Sequence, residues 1–231
     1  MNRKTPLFVV GYPKSGCTWL ARLVAEAVGA PAEFWKHGKT HPEIASVGTM
    51  DRQSEFCVYK SHHVRADLAA LNDQMVYIVR DVRDVIVSAA AFFPDLGGMS
   101  MLEISEALRG GIHAKLDLVS WNAHVAGYLD ARVYWVRYED LLDDAVPVLA
   151  GVLRHFGIER SATQIEVVTE AHTFAAIKAR LMSAPEEPWR QEALSHLRVG
   201  TAGQFRQWGE HDITKVTKWF MPTLVRLGYV L

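Results

Sequence analysis

The segment Leu7–Val28 (LFVVGYPKSGCTWLARLVAEAV) restricts the fold more than any other stretch of the chain. An apolar run reading as a strand over Leu7–Gly11 is followed by a loop with a second glycine at position 16. Beyond it, a helix over Thr18–Val28 places Leu20, Leu23, Val24 and Val28 on one face. A uniformly apolar strand that feeds an amphipathic helix through a glycine loop is the opening unit of a parallel sheet covered on both faces. The run Pro6–Gly11 falls far short of the roughly 20 residues that a bilayer-spanning helix needs, and no later run reaches that length, so the strand is read as buried in a core.

The pattern repeats. Phe56–Lys60, Val76–Arg80 and Val133–Arg137 read as further strands, each followed by helical sequence. Asp84–Phe93 packs Val85, Val87 and Ala89–Ala91 as a helix, and Trp121–Tyr128, Ala145–Phe156, Ala162–Ala171 and Ile213–Leu227 follow. The expected fold is α/β, one domain over residues 1–231 with a central parallel sheet flanked by helices. With 231 residues, 49% of them hydrophobic, the chain can bury a sizeable core, and no repeat or linker divides it. Pro31–Arg52 and Ser183–Gly203 lack periodicity and are expected to be loops over a site.

A formal charge of −1 gives no general basic field, so nucleic acid is not an expected partner and any anion site must be local. Cys17 and Cys57 are the only cysteines and cannot form a disulfide framework; with no export-like N-terminus, the expected setting is reducing and cytoplasmic, without a membrane.

Gly11 and Gly16 have the spacing of the outer glycines in the nucleotide loop G-x-x-x-x-G-K-[ST], and Thr18 stands at the hydroxyl position. The lysine is displaced: position 17 is Cys, and the loop's lysine is Lys14, beside Ser15. The strand Val76–Val79 runs into Arg80 and not into a carboxylate, so no metal site is expected. An atypical kinase or NTPase, or a non-catalytic nucleotide-binding module, are the alternatives that the loop alone permits.

Pro13-Lys14-Ser15-Gly16-Cys17-Thr18-Trp19 resembles the PKSGTTW loop of the soluble, cytosolic-type sulfotransferases, with one change at Cys17. Arg80 and Ser88 in RDVRDVIVS, Lys60-Ser61-His62 in VYKSHH, Trp121 and His124 in SWNAHVAGY, Tyr138 in VRYEDLL, Phe174 in HTFAAIK and Arg198-Val199-Gly200 are similar to further signatures of that family. The short start is like that of a bacterial member. The resemblance implies a P-loop-like fold and transfer of a sulfuryl group from 3′-phosphoadenosine 5′-phosphosulfate (PAPS) to a hydroxyl, or second to an amine, of a small-molecule acceptor. The bisphosphate PAP is left behind, and no metal is required. It assigns catalysis to His62 as general base, Lys14 at the bridging oxygen and Lys60. Donor binding falls to Lys14, Ser15, Gly16, Cys17, Thr18, Trp19, Arg80, Ser88, Tyr138, Phe174, Arg198, Val199 and Gly200. A homodimer is possible, although the family's dimerisation motif is not recognisable in HDITKVTKW, and GQFRQW departs from the family after Gly203.

These assignments carry detailed expectations. The amides of Ser15–Trp19 hold the 5′-phosphate, Ser15 restrains Lys14, and the Cys17 thiol faces the phosphates. His62 titrates near the ordinary 6.5, while His63 points to the other side of the strand. Trp19, Tyr138 and Phe174 form the adenine slot. Arg80 and Asp84, four apart, could instead be a surface ion pair. Asp140, Asp143 and Asp144 complement a helix start and do not bind metal. Acceptor choice is expected in Pro31–Arg52, Phe93–Met101 and Ser183–Leu197, with Trp35, Phe93 and Trp189 favouring an aromatic or amphipathic molecule.

Overall fold

Leu7 and Val9 face one side of the first strand and Phe8 and Val10 the other, and both sides are buried. In the computed structural model that strand, β1 (Thr5–Val10), lies inside a six-stranded sheet. The structure describes residues 4–36, 39–42, 54–69, 74–96, 98–110, 119–183, 194, 197 and 200–230. The other strands are β2 (Ala32–Lys36), β3 (Lys39–Pro42), β4 (Phe56–Ser61), β5 (Met75–Val79) and β6 (Tyr134–Arg137), in the order β3-β2-β4-β1-β5-β6. All pairings are parallel except β2 with the edge strand β3.

The helices are α1 (Cys17–Val28), α2 (Arg65–Leu68), α3 (Val82–Phe92), α4 (Met101–Gly110), α5 (Trp121–Asp130), α6 (Tyr138–Asp143), α7 (Ala145–His155), α8 (Ala162–Ala171), α9 (Phe174–Ser183) and α10 (Glu210–Arg226). Residues of α1, α7 and α8 pack on the Leu7 and Val9 face together with Val58, Ile78 and Val136. Residues of α3, α4, α5 and α10 pack on the Phe8 and Val10 face with Tyr77 and Val79. Burial on both faces explains the uninterrupted apolar run MVYIV of β5.

Local chemistry sets the helix ends. Gly29, at φ 62°, closes α1 in the left-handed conformation and donates its N–H to the Ala25 and Glu26 carbonyls. The Asp81 carboxylate accepts from the Arg83 amide at the start of α3, and Ser161 with Gln164 forms a capping box on α8.

The unpatterned segment Pro31–Arg52 departs from the sequence expectation, because it contributes β2 and β3 to the sheet; residues 43–53 lie outside the described set. Helices α4 and α9 were also not expected. The first is capped reciprocally, the Ser100 amide donating to Glu103 and the Glu103 amide to Ser100 Oγ.

From β4 the chain passes to β5 on the far side of β1, so the direction of strand order reverses at the carboxyl end of β1. In open α/β sheets this reversal opens a crevice where ligands bind.

Candidate active site

At that crevice lies a cavity of about 590 Å³. Its walls include Lys14, Gly16, Cys17, Thr18 and Trp19 from the glycine loop and α1, and Lys60 and His62 from the end of β4. Arg80 and Ser88 come from the α3 side, and Tyr138, Phe174 and Gly200 join them, whereas Ser15, expected to bind the donor, is not on the wall. Arg198 and Val199 lie outside the described residues, as does Trp189.

The loop turns because Gly16 adopts φ 95°, and a Cβ there would come within 2.6 Å of Tyr138 Cδ2. The amides expected to face an anion are fewer than the sequence suggested. Ser15 donates to the Tyr12 carbonyl (3.1 Å) and Trp19 to the Gly16 carbonyl (3.0 Å), so those two of the expected amides are engaged within the loop and the first turn of α1.

Lys14 is held at φ 71°, a conformation that costs a non-glycine residue roughly 1–2 kcal/mol. Its Nζ sits 3.5 Å from the centroid of the Phe92 ring. Phe92 is therefore a contact of the ammonium that the sequence did not suggest. Ser15 Oγ is fully buried, with no hydrogen-bond partner among the described residues. The Cys17 thiol also departs from its expected direction: it is packed with the core residues of α1, and a Cβ built on Gly11 would lie 2.7 Å from its Sγ.

Lys60 donates from Nζ to Thr18 Oγ1 at 2.8 Å, which joins β4 to α1 and brings a second ammonium to the cavity beside Lys14. His62 Nδ1 stands 2.7 Å from the Gly11 carbonyl oxygen. A carbonyl only accepts, so Nδ1 carries the hydrogen and Nε2 is left with the lone pair. The imidazole does not titrate near 6.5: burial, followed by the Lys60 charge, lowers it to about 3, against the opposing pull of the Gly11 hydrogen bond. His62 is accordingly neutral at physiological pH. His63 is absent from the cavity wall, and its ring meets Ser61 Oγ at 3.0 Å.

Arg80 is 6% exposed. It donates through Nη1 to the Lys14 carbonyl (3.4 Å) and through Nη2 to the Thr201 carbonyl (3.0 Å), and its guanidinium carbon lies 4.3 Å above the Tyr138 ring. Its Nε is buried with no partner among the described residues. The Arg80–Asp84 pair is not a surface pair. The two approach to 3.6 Å with both side chains buried, and the Asp84 carboxylate accepts from the amides of Gly203 (2.6 Å) and Phe205 (3.1 Å). That carboxylate fixes the C-terminal GQFRQW segment to α3.

At the opposite end, Trp19 donates from Nε1 to the His172 carbonyl (2.8 Å) and meets Tyr138 edge-on at 6.0 Å. Phe174 packs against Gly200, whose φ of 66° and Cβ clearance of 2.6 Å from the Phe174 ring both demand glycine. Trp19, Tyr138 and Phe174 thus all border the cavity.

Several wall residues were not anticipated: Arg22, Phe92, Thr169, His172 and Gln204. Two of them carry a signal in the spacing. Arg22 lies four residues after Thr18 and Phe92 four after Ser88, each on the same helical face as the residue already identified. Asp143 and Asp144 reach the wall, Asp144 also capping α7, whereas Asp140 pairs with Arg137 at 2.8 Å. Among the described residues no three His, Cys, Asp or Glu side chains come together as a metal site, and no helix is long and apolar enough to cross a membrane.

Two lysines, a buried arginine with an orphan Nε, a helix start and an aromatic wall fit a nucleotide anion. Comparison with known proteins agrees. Human Sulfotransferase 4A1 is 26% identical over 194 residues, covering 73% of this chain, which spans 65% of the length of that relative. Mouse Sulfotransferase 2A6 is 24% identical over 241 residues, covering 93% of this chain and 81% of its own. Mouse sulfotransferase SULT7A1, solved in complex with PAP, superposes with a TM-score of 0.70 at 18% identity, covering 96% of this chain and 84% of that one. A retinol dehydratase solved with retinol and PAP gives 0.68 at 21% identity, covering 96% and 82%. The profile of the sulfotransferase domain matches residues 4–224, and the chain belongs to that family.

Proposed function

We propose that this chain transfers a sulfuryl group from PAPS to the hydroxyl, or second the amine, of a small-molecule acceptor, releasing PAP. The observation that carries the reading is the convergence of Lys14, Lys60 and a neutral His62 on one cavity at the carboxyl ends of β1 and β4. Sulfuryl transfer is dominated by positioning and by stabilisation of charge that develops on the leaving phosphate.

Each residue then has a chemical task. The amides of Gly16, Cys17 and Thr18 hold the 5′-phosphate at the α1 start, and Lys14 neutralises the bridging oxygen as its bond to sulfur breaks. Lys60, steadied by Thr18, places positive charge at the transferred group. His62 accepts the acceptor's proton at Nε2, the atom that the Gly11 carbonyl keeps unprotonated. Arg80 and Ser88, together with Arg198, Val199 and Gly200, receive the 3′-phosphate that distinguishes this donor from ATP. Trp19, Tyr138 and Phe174 enclose the adenine.

The aromatic pair Phe92 and Phe93, edge-on at 5.0 Å on the cavity wall, favours an aromatic or amphipathic acceptor. The retinol and androsterone carried by retinol dehydratase in its PAP complexes are molecules of that kind. The setting we propose is a reducing, cytoplasmic one, in keeping with the free thiols of Cys17 and Cys57.

The test is incubation of the purified protein with PAPS and a panel of phenol, alcohol and amine acceptors, with product detected as the mass gain of one SO₃ unit together with PAP. Magnesium-dependent release of γ-phosphate from ATP, with no sulfated product, would overturn the proposal.

The His62 environment also dictates the pH profile. Its base form is present at every pH above about 3 in the free enzyme, so kcat/KM for PAPS should stay level between about pH 5 and 8, without the acid limb of an ordinary histidine near 6.5. Bound donor brings negative charge next to the ring and favours the imidazolium, so any acid limb belongs to kcat and lies at higher pH than in the free enzyme. A fall in kcat/KM centred at 6.5 would contradict this arrangement.

Because Sγ faces Gly11 and the core, Cys17→Thr should leave the PAP dissociation constant within about twofold by calorimetry. A change of about tenfold, or 1.4 kcal/mol, would place that side chain against the ligand instead.

A further inference from the structure

His124 is 1% exposed on α5, outside the cavity wall, and no step above uses it. Its Nε2 lies 3.0 Å from the backbone carbonyl of His62, and its Nδ1 lies 3.0 Å from the hydroxyl of Tyr77, which is itself fully buried on β5. The bonding roles follow without ambiguity. The His62 carbonyl only accepts, so His124 carries its hydrogen on Nε2, and Nδ1 accepts from the Tyr77 hydroxyl. Burial keeps the His124 ring neutral by lowering it to about 4, so it presents one donor and one acceptor, both engaged.

The neighbouring peptide is held in the same way. The Tyr128 hydroxyl donates to the His63 carbonyl at 2.7 Å, and the Tyr128 ring stacks on Tyr77 at 4.3 Å. Strand β4 ends at Ser61, so His62 and His63 stand just past the last residue that the sheet ladder fixes. Their carbonyls are instead fixed from α5.

We infer that His124, oriented by Tyr77, is a positioning residue that clamps the His62 peptide and thereby keeps the His62 ring in register with the Gly11 carbonyl. The chain of bonds runs from the Tyr77 hydroxyl through both nitrogens of His124 to the His62 carbonyl, while the ring of His62 is tied to β1 through Gly11. Releasing the peptide lets the ring leave Gly11 and lose its fixed tautomer. Hydrogen-bond partners that orient metal-ligating histidines alter activity by about 10–100-fold when removed, and a similar loss is expected for this clamp.

The catalytic part of this inference rests on the proposed sulfuryl transfer; the geometric part does not. The experiment uses three variants of the full chain. His124→Leu removes both bonds. His124→Gln keeps an amide nitrogen at the reach of Nε2, whereas His124→Asn places its amide nitrogen at the reach of Nδ1, too short for the His62 carbonyl. Long-range proton–nitrogen spectra of the histidine rings, with His62 assigned by loss of its signals in His62→Asn, should show the Nδ1–H form of His62 in the wild type and in His124→Gln. In His124→Leu and His124→Asn they should show a mixed tautomer. With PAPS and 2-naphthol, kcat should fall about 10–100-fold in Leu and Asn and stay within about threefold in Gln, with PAP affinity unchanged in all three.

Unaltered His62 signals in His124→Leu would overturn the clamp, as would a parallel loss of PAP affinity, which would mark general loosening of the fold. Should His124→Leu fail to fold, the contrast between Gln and Asn decides. A wild-type protein that sulfates no acceptor defeats the proposed function, while the ring spectra still decide the clamp.

Discussion

Replacing His62 with alanine should lower kcat by about 10²–10⁴-fold, the range over which a positioned general base contributes, while PAP binding stays nearly unchanged. The ring lines the cavity and hydrogen-bonds the Gly11 carbonyl, whereas the phosphate is assigned in the proposed reading to amides of the α1 start. A loss confined to kcat would show that the interaction is made only as the proton moves. Equal losses in kcat and in PAP affinity would instead mean that the ring holds the loop in shape. His62→Asn, whose amide nitrogen falls at the reach of Nδ1 and can still donate to Gly11 but which has no basic nitrogen, should be as inactive as the alanine variant.

Lys14→Ala should have a similarly large effect of a different kind. Removing one charge aimed at a developing oxyanion costs about 10²–10³-fold in kcat, and because Lys14 also attracts the resting donor, the KM for PAPS should rise. The substitution has a second signature. Lys14 is among the charges that hold the His62 pKa down, so its removal moves that pKa upward, and the acid limb of kcat/KM with it. Steady-state kinetics across pH measure both effects. A Lys14→Ala enzyme with full kcat would remove the lysine from the chemistry.

The parts of this arrangement that were legible in the sequence are those fixed by local pattern. β1, β4, β5 and β6 showed as apolar runs because both sheet faces are covered, and α1 showed through amphipathic spacing. β2 and β3 were not legible. AEFWK and KTHP mix charge, ring and proline in runs of five and four residues, and β3 is defined by antiparallel pairing with β2 and not by its own composition. Helix α4, by contrast, carried a readable signal in Ser100 and Glu103 three residues apart. In the site, residue identities were legible and side-chain directions were not. That Lys14 rests on Phe92, that the Cys17 thiol turns to Gly11, and that His62 sits among cations which lower its pKa are consequences of tertiary packing. Spacing along the chain does not encode them.

The parallel pairing of β1 with β4 sets Val10 opposite Ser61, so Gly11 and His62 are simply the next residues on two neighbouring rails. The sheet thereby acts as a ruler between the anion loop and the base. A slip of one residue would present Ser61 or His63 in place of His62, which makes the spacing all-or-none and removes it from gradual adjustment. Phe92 and Phe93 belong to no strand. They end a helix; in the proposed reading, exchanging Phe93 reshapes the acceptor wall while the ruler keeps its length, and Phe92 is tied to the Lys14 ammonium above it. A chain built this way can change what it modifies without relearning how to modify it.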